Sequence, residues 1–143
     1  PKLSAAERAA RLKVYVEFNE EMRRLFQERL SQSGLSKLQK ELLLKGSALA
    51  ERIMKLHSRG GVFKRPTGRY INSIASFTIG QAVVAVTPLV IYARWLEEGG
   101  LHPRWKVPTS FRGYHIVKQT KEEFEPKMQS LAEQIIRKHI GAA

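Results

Sequence analysis

Apolar residues first recur near helical spacing at Leu12, Tyr15, Val16, Met22, Phe26 and Leu30, with Glu and Arg filling the opposite face. Ser4 followed by Glu7 has the form of a capping box, so the pattern predicts a helix over 4–31, stopped at Ser33-Gly34. Leu38, Leu42, Leu49, Ile53 and Leu56 mark a second stripe and predict a helix over 35–57, with Ser36 as its N-cap. A short turn between two long helices predicts a helical hairpin; the alternative is a first helix that projects and docks on a neighbour.

Arg59-Gly60-Gly61 breaks the helical period, and Lys64-Arg65-Pro66-Thr67-Gly68 continues as loop. The period then changes. Tyr70 to Ile79 alternates loosely, Gly80-Gln81 has turn chemistry, and Ala82 to Thr87 is rich in valine, a pattern that predicts an antiparallel β-hairpin. Leu89 to Glu98, with Ile91, Trp95 and Leu96, predicts a short helix ended by Gly99-Gly100. Leu101 to Arg112 reads as a loop or extended segment with two prolines, and Tyr114 to Val117 as either a strand or the lead-in to a last helix. That helix is marked by Phe124, Met128, Leu131, Ile135 and Ile140, with Pro126 in its first turn or as a kink in a longer helix. The expected fold is α+β. Long N-terminal helices precede a small antiparallel sheet with a short helix, and a C-terminal helix packs on the sheet. All of it falls in a single domain over 1–143, with a helical part at 1–58 and an α+β core at 66–143.

Composition narrows the function classes. A chain of 143 residues with 43% hydrophobic content can bury one core. Its longest apolar run, Ala82 to Ala93, is too short for a bilayer and is broken by Thr87 and Pro88. With no secretory signal or anchor motif in view, a soluble, non-secreted protein without membrane contact is expected. There is no cysteine, and all 13 acids are Glu. Disulfides, thiolate chemistry and cysteine zinc sites are thereby excluded, and Asp-based metal loops and triads with them. Against those 13 acids stand 25 Lys and Arg, giving a net charge of +12. Attraction to polyanions or acidic protein surfaces follows from that imbalance, although a solvated cationic surface would carry it equally.

Candidate chemistry is sparse. His57, His102, His115 and His139 stand at no metal-ligand spacing. Glu97-Glu98 is the best carboxylate pair. At the C-terminus of a short helix it opposes the macrodipole, so a basic partner is expected for it. Lys64, Arg65 and Arg69 line a basic loop without the glycine spacing of a phosphate-binding motif. Arg104, Lys106 and Arg112, with Lys118 and Lys121, are interleaved with Trp105, Phe111 and Tyr114. Such a mixture either stacks on single-stranded nucleic acid or anchors a subunit contact, and the length of the loop favours the contact. Trp95, Glu97, Glu98, Trp105, Phe111 and Tyr114 are therefore the candidate partner contacts. Lys64, Arg65, Arg69, Arg104, Lys106 and Arg112 are the candidate DNA-facing or acidic-partner contacts. No catalytic residue, metal or cofactor is expected.

The run Pro66-Thr67-Gly68-Arg69-Tyr70-Ile71-Asn72-Ser73-Ile74, and after the hairpin Tyr92-Ala93-Arg94-Trp95-Leu96-Glu97-Glu98-Gly99-Gly100, resemble the neck or tail-completion proteins of long-tailed phages. Members of that family open the sheet with T-G-x-L-x-x-S-I and close the following helix with Y-A-x-x-x-E-x-G. Tyr70 or Ile71 replaces the usual leucine here, and Phe111-Arg112-Gly113-Tyr114-His115 stands where the family enters its last helix with a proline-rich motif. The resemblance covers about residues 66–140. It implies a non-enzymatic virion protein that forms a sixfold or twelvefold homo-oligomeric ring at the head–tail junction, assembled in the host cytoplasm. Its implied partners are portal-side connector or stopper proteins and the tail terminator or tube, with non-specific DNA contact in the lumen. The alternatives are the tail terminator ring itself and a stand-alone basic nucleic-acid-binding module.

Overall fold

The computed structural model describes residues 4–27, 32–59, 68–80, 82–101, 110–111 and 113–140. The fold is α+β, as the patterning predicts. Helix α1 (Ala5–Arg11) begins where expected, with the Ser4 hydroxyl accepting from the Glu7 N–H at 3.1 Å. The helix expected over 4–31 then fails. Val14–Glu17 is strand β1, and a separate helix α2 (Glu20–Gln27) follows it, with the Asn19 side chain accepting from the Met22 N–H. Val-Tyr-Val-Glu alternates with period two, and a sheet that buries Val14 and Val16 outweighs the weak helical preference of β-branched residues.

Helix α3 (Gln32–His57) starts earlier than predicted, so Ser33-Gly34 does not stop it and Ser36 lies inside it rather than at its cap. Its buried stripe is Leu38, Leu42, Ala50, Ile53 and Met54, while Leu56 is exposed. The stripe continues through Gly46, where a Cβ would stand 2.7 Å from Val16 Cγ1 and 3.2 Å from Met128 Sδ. The missing side chain is what lets helix, sheet and last helix converge.

Gly68 leads into a short helix α4 (Arg69–Ser73), which takes the first half of the strand expected from Tyr70. Burial of Tyr70 in this turn, with the Ser73 hydroxyl donating to its carbonyl, settles the local competition. β2 (Ala75–Thr78) and β3 (Val83–Thr87) then form the expected antiparallel pair. β1 adds to the other side of β3, giving the order β1-β3-β2. Val14 and Val16 face Val86 and Val84 across the ladder, and this face packs on α3. Helix α5 (Ala93–Glu98) is shorter than expected, and Ile91 is fully exposed instead of belonging to its stripe.

Two-residue strands β4 (Gly100–Leu101) and β5 (Ser110–Phe111) pair antiparallel at the ends of the predicted loop. Tyr114 belongs to the lead-in of α6 (Ile116–Ile140), and Pro126 sits inside that helix. α6 packs along α3 and touches β1. The long partner of α3 is therefore α6, not an N-terminal helix, which corrects the expected hairpin. No helix among the described residues is long and apolar enough to cross a membrane.

Candidate functional site

Two regions hold the residues that sequence singled out or that the fold exposes. The first is the joint between α5 and α6. Glu97 is 4% exposed. Its Oε1 accepts from the Val117 N–H at 2.7 Å and its Oε2 from the Lys118 N–H at 3.0 Å. Those amides belong to the first turn of α6, whose N–H groups have no partner within the helix. A carboxylate there satisfies two of them and meets the positive end of the macrodipole. Glu97 thus caps a helix twenty residues away in sequence, and its expected conflict with the C-terminus of α5 is offset from α6.

The backbone closes the same joint. Tyr114 N–H donates to the Leu96 carbonyl at 2.7 Å and His115 N–H to the Glu97 carbonyl at 3.2 Å. Gly113, at φ +83°, passes so close to the Glu97 carbonyl that any Cβ would collide with it. Tyr70 is buried beside this joint. Desolvation first, and the Glu97 charge second, push its phenol well above the usual range. Glu98 has the basic neighbours predicted for the pair. Arg94 Nε lies 3.5 Å from its Oε2, and Arg11 Nη1 lies 3.8 Å from its Oε1, an ionic contact too long for a hydrogen bond.

Glu97 is therefore turned into the fold and not offered to a partner, and both its oxygens accept from backbone amides. Trp95 and Tyr114 are half-buried around this joint, and Arg69 is exposed at the start of α4. Trp105, Lys64, Arg65, Arg104, Lys106 and Arg112 lie outside the described residues, and Phe111 is described only as a residue of β5. His57, at the end of α3, meets Glu123 of α6 at 2.6 Å. The Lys127 ammonium, then His57, holds the half-exposed Glu123 carboxyl below its ordinary pKa. This is a strut between helices. Among the described residues no group of His, Cys, Asp or Glu could hold a metal ion.

The second region is the β2 side of the sheet, which sequence reasoning missed. Tyr15, Ala85 and Phe77 stand in one cross-strand row, with Tyr15 37% and Phe77 45% exposed and Ala85 buried between them. Ile79 extends the apolar surface at 46%. On the opposite face a groove of about 780 Å³ runs between α2, α3 and β2. Leu43 and Val84 are among its apolar lining, and Arg23 and Lys40 bring positive charge to it. The alternation of Ser76, Phe77, Thr78 and Ile79 was the available signal for two unlike faces. β1 carried the other half of that signal. It was hidden because Leu12, Tyr15 and Val16 also satisfy helical spacing.

Comparison of the chain with protein-family models, with curated proteins and with solved structures found no match.

Proposed function

We propose that the chain is a virion structural subunit of a tailed phage, forming an oligomeric ring at the neck that joins portal-side proteins to the tail and lets DNA pass. It is not an enzyme. The observation that carries the reading is what the two neck-type motifs do in this fold. Gly68, Tyr70, Ser73 and Ile74 of the first motif build the turn that opens the sheet, with Tyr70 and Ile74 buried. Ala93, Glu97 and Gly99 of the second close α5, and Glu97 caps α6. The Glu97 charge also helps to raise the Tyr70 phenol, which links the two motifs electrostatically. Their residue types serve architecture instead of chemistry, which suits a building block. A three-stranded sheet with two edges gives such a block surfaces on which neighbours can pair.

Native mass spectrometry of the purified chain, alone and mixed with portal and tail complexes, tests this. A closed ring, or a monomer that assembles only on those complexes, is expected. A chain that stays monomeric in every mixture would sink the proposal. The net charge of +12 favours one second reading, a free-standing nucleic-acid-binding module. It requires retention of DNA on a filter at low salt that falls steeply as salt rises, and no retention at low salt would remove it.

A further inference from the structure

The sheet ends at β2 with a hydrogen-bonding edge that no described strand covers. Ile79 N–H donates to the Val83 carbonyl at 2.8 Å, so Ile79–Val83 is a hydrogen-bonded pair. By the register, Phe77–Ala85 and Ala75–Thr87 share that phase. In an antiparallel ladder the intervening residues turn their backbone groups the other way. The N–H and C=O of Ser76 and Thr78 therefore point away from β3, toward the open side.

The two flanks of this edge differ in chemistry. Phe77 and Ile79 project on the outer face, each nearly half exposed. On the inner face Ser76 and Thr78 border the groove, across from Arg23 of α2 and Lys40, Gln39 and Ser47 of α3. No carboxylate is among the groove's described lining. Glu51, outside that lining, accepts from the Ser76 hydroxyl at 2.7 Å. An incoming strand would thus meet apolar surface with one set of side chains and cations with the other.

We propose that β2 is a docking edge for an extended segment of a partner protein in which apolar residues alternate with carboxylates. The segment adds as a fourth strand. Its backbone pairs with Ser76 and Thr78, its apolar residues cover Phe77 and Ile79, and its carboxylates enter the groove toward Arg23 and Lys40. A second copy fits less well, because pairing β2 with β2 across a twofold would set two cationic grooves side by side on chains of net charge +12. Nucleic acid would answer the cations but leave the backbone edge and the apolar row unmet. The inference stands on the sheet register and the groove, and does not depend on the phage reading.

Fluorescence anisotropy of the full chain with a labelled, roughly ten-residue peptide of alternating valine and glutamate tests it. Binding in the range of about 10–100 μM at low salt is expected, with an alternating valine–lysine peptide at least about tenfold weaker. Thr78→Pro removes an N–H that the native ladder does not use, and proline is tolerated on edge strands. It should weaken the peptide about tenfold with an unchanged circular-dichroism melt. Arg23→Glu with Lys40→Glu should transfer the preference to the lysine peptide. On the unaltered chain, amide exchange at Ser76 and Thr78 should be fast and should slow when the glutamate peptide is added. No binding up to about 1 mM overturns the proposal. So does displacement of the peptide by a single-stranded oligonucleotide with those amides still fast, which would assign the groove to polyanions. Protection of the same amides by self-association, without peptide, would assign the edge to a second copy.

Discussion

Glu97 illustrates how a single side chain changes meaning between one dimension and three. Beside Glu98 at a helix end it reads as an unfavourable charge in need of a partner; in the fold its partners are the backbone amides of Val117 and Lys118. Replacing it with Ala leaves one buried and one part-buried N–H group unanswered and should cost about 2–3 kcal/mol in urea unfolding, with the m-value unchanged. Glu97→Gln keeps one acceptor and should cost about half as much. In that variant the Tyr70 phenol should titrate lower than in the parent yet still above a free tyrosine, because burial is the larger cause of its shift. Ultraviolet absorbance of the phenolate reads this directly.

Gly46 poses a question of sign at the same scale. Alanine would improve helix propensity by about 1 kcal/mol. Its methyl, however, would stand 2.7 Å from Cγ1 of the fully buried Val16, so something in the core must shift. Overpacking costs about 1–3 kcal/mol, so Gly46→Ala should be net destabilising. A third residue-scale expectation concerns acid. Glu123 has a lowered pKa in the fold, so it contributes stability above the unfolded carboxylate pKa of about 4.3 and loses it as pH falls through the folded value. The stability difference between the parent and Glu123→Gln should therefore be present at neutral pH and vanish in acid, as followed by unfolding midpoints across that range.

At the scale of elements, β1 is the segment that separates the structure from the sequence reading. Alternation makes opposite demands on neighbouring residues. Val14→Asp places a charge against α3 and should abolish cooperative unfolding, while Tyr15→Lys on the outer face should change stability by less than about 1 kcal/mol. A helix over 4–31 would not predict that contrast, since Leu12, Tyr15 and Val16 would share one buried face. The valine-rich strand at 83–87, the stripe of α3 and the C-terminal helix were all legible, because each repeats its period over enough residues to exclude the alternative. Four-residue segments such as Val14–Glu17 fit two periods, and local propensity cannot choose between them.

For the whole molecule, the surplus of cations looks like the dominant feature in composition but identifies nothing by itself. The fold gives it places. Arg11 and Arg94 face Glu98, Lys138 and Lys45 meet Glu41, and Arg23 and Lys40 remain along the groove beside β2. Exposed ion pairs of this kind add little stability, generally below about 1 kcal/mol each. Their distribution matters more for what approaches the surface than for the fold.

The sequence by itself determined the α+β class, the hairpin of β2 and β3, a long helix ending at His57, and a C-terminal helix through Phe124, Met128, Leu131 and Ile135. These follow from periodicity and turn chemistry, which are local properties of the chain. Only the tertiary structure decided that residues 14–17 join the sheet, that α3 pairs with α6, that Glu97 caps a distant helix, and that β2 is the last described strand of its sheet, beside a cationic groove. Each of these depends on contacts between segments far apart in sequence. Burial and the pairing of buried polar groups select among local conformations of nearly equal energy, and no local pattern records that choice.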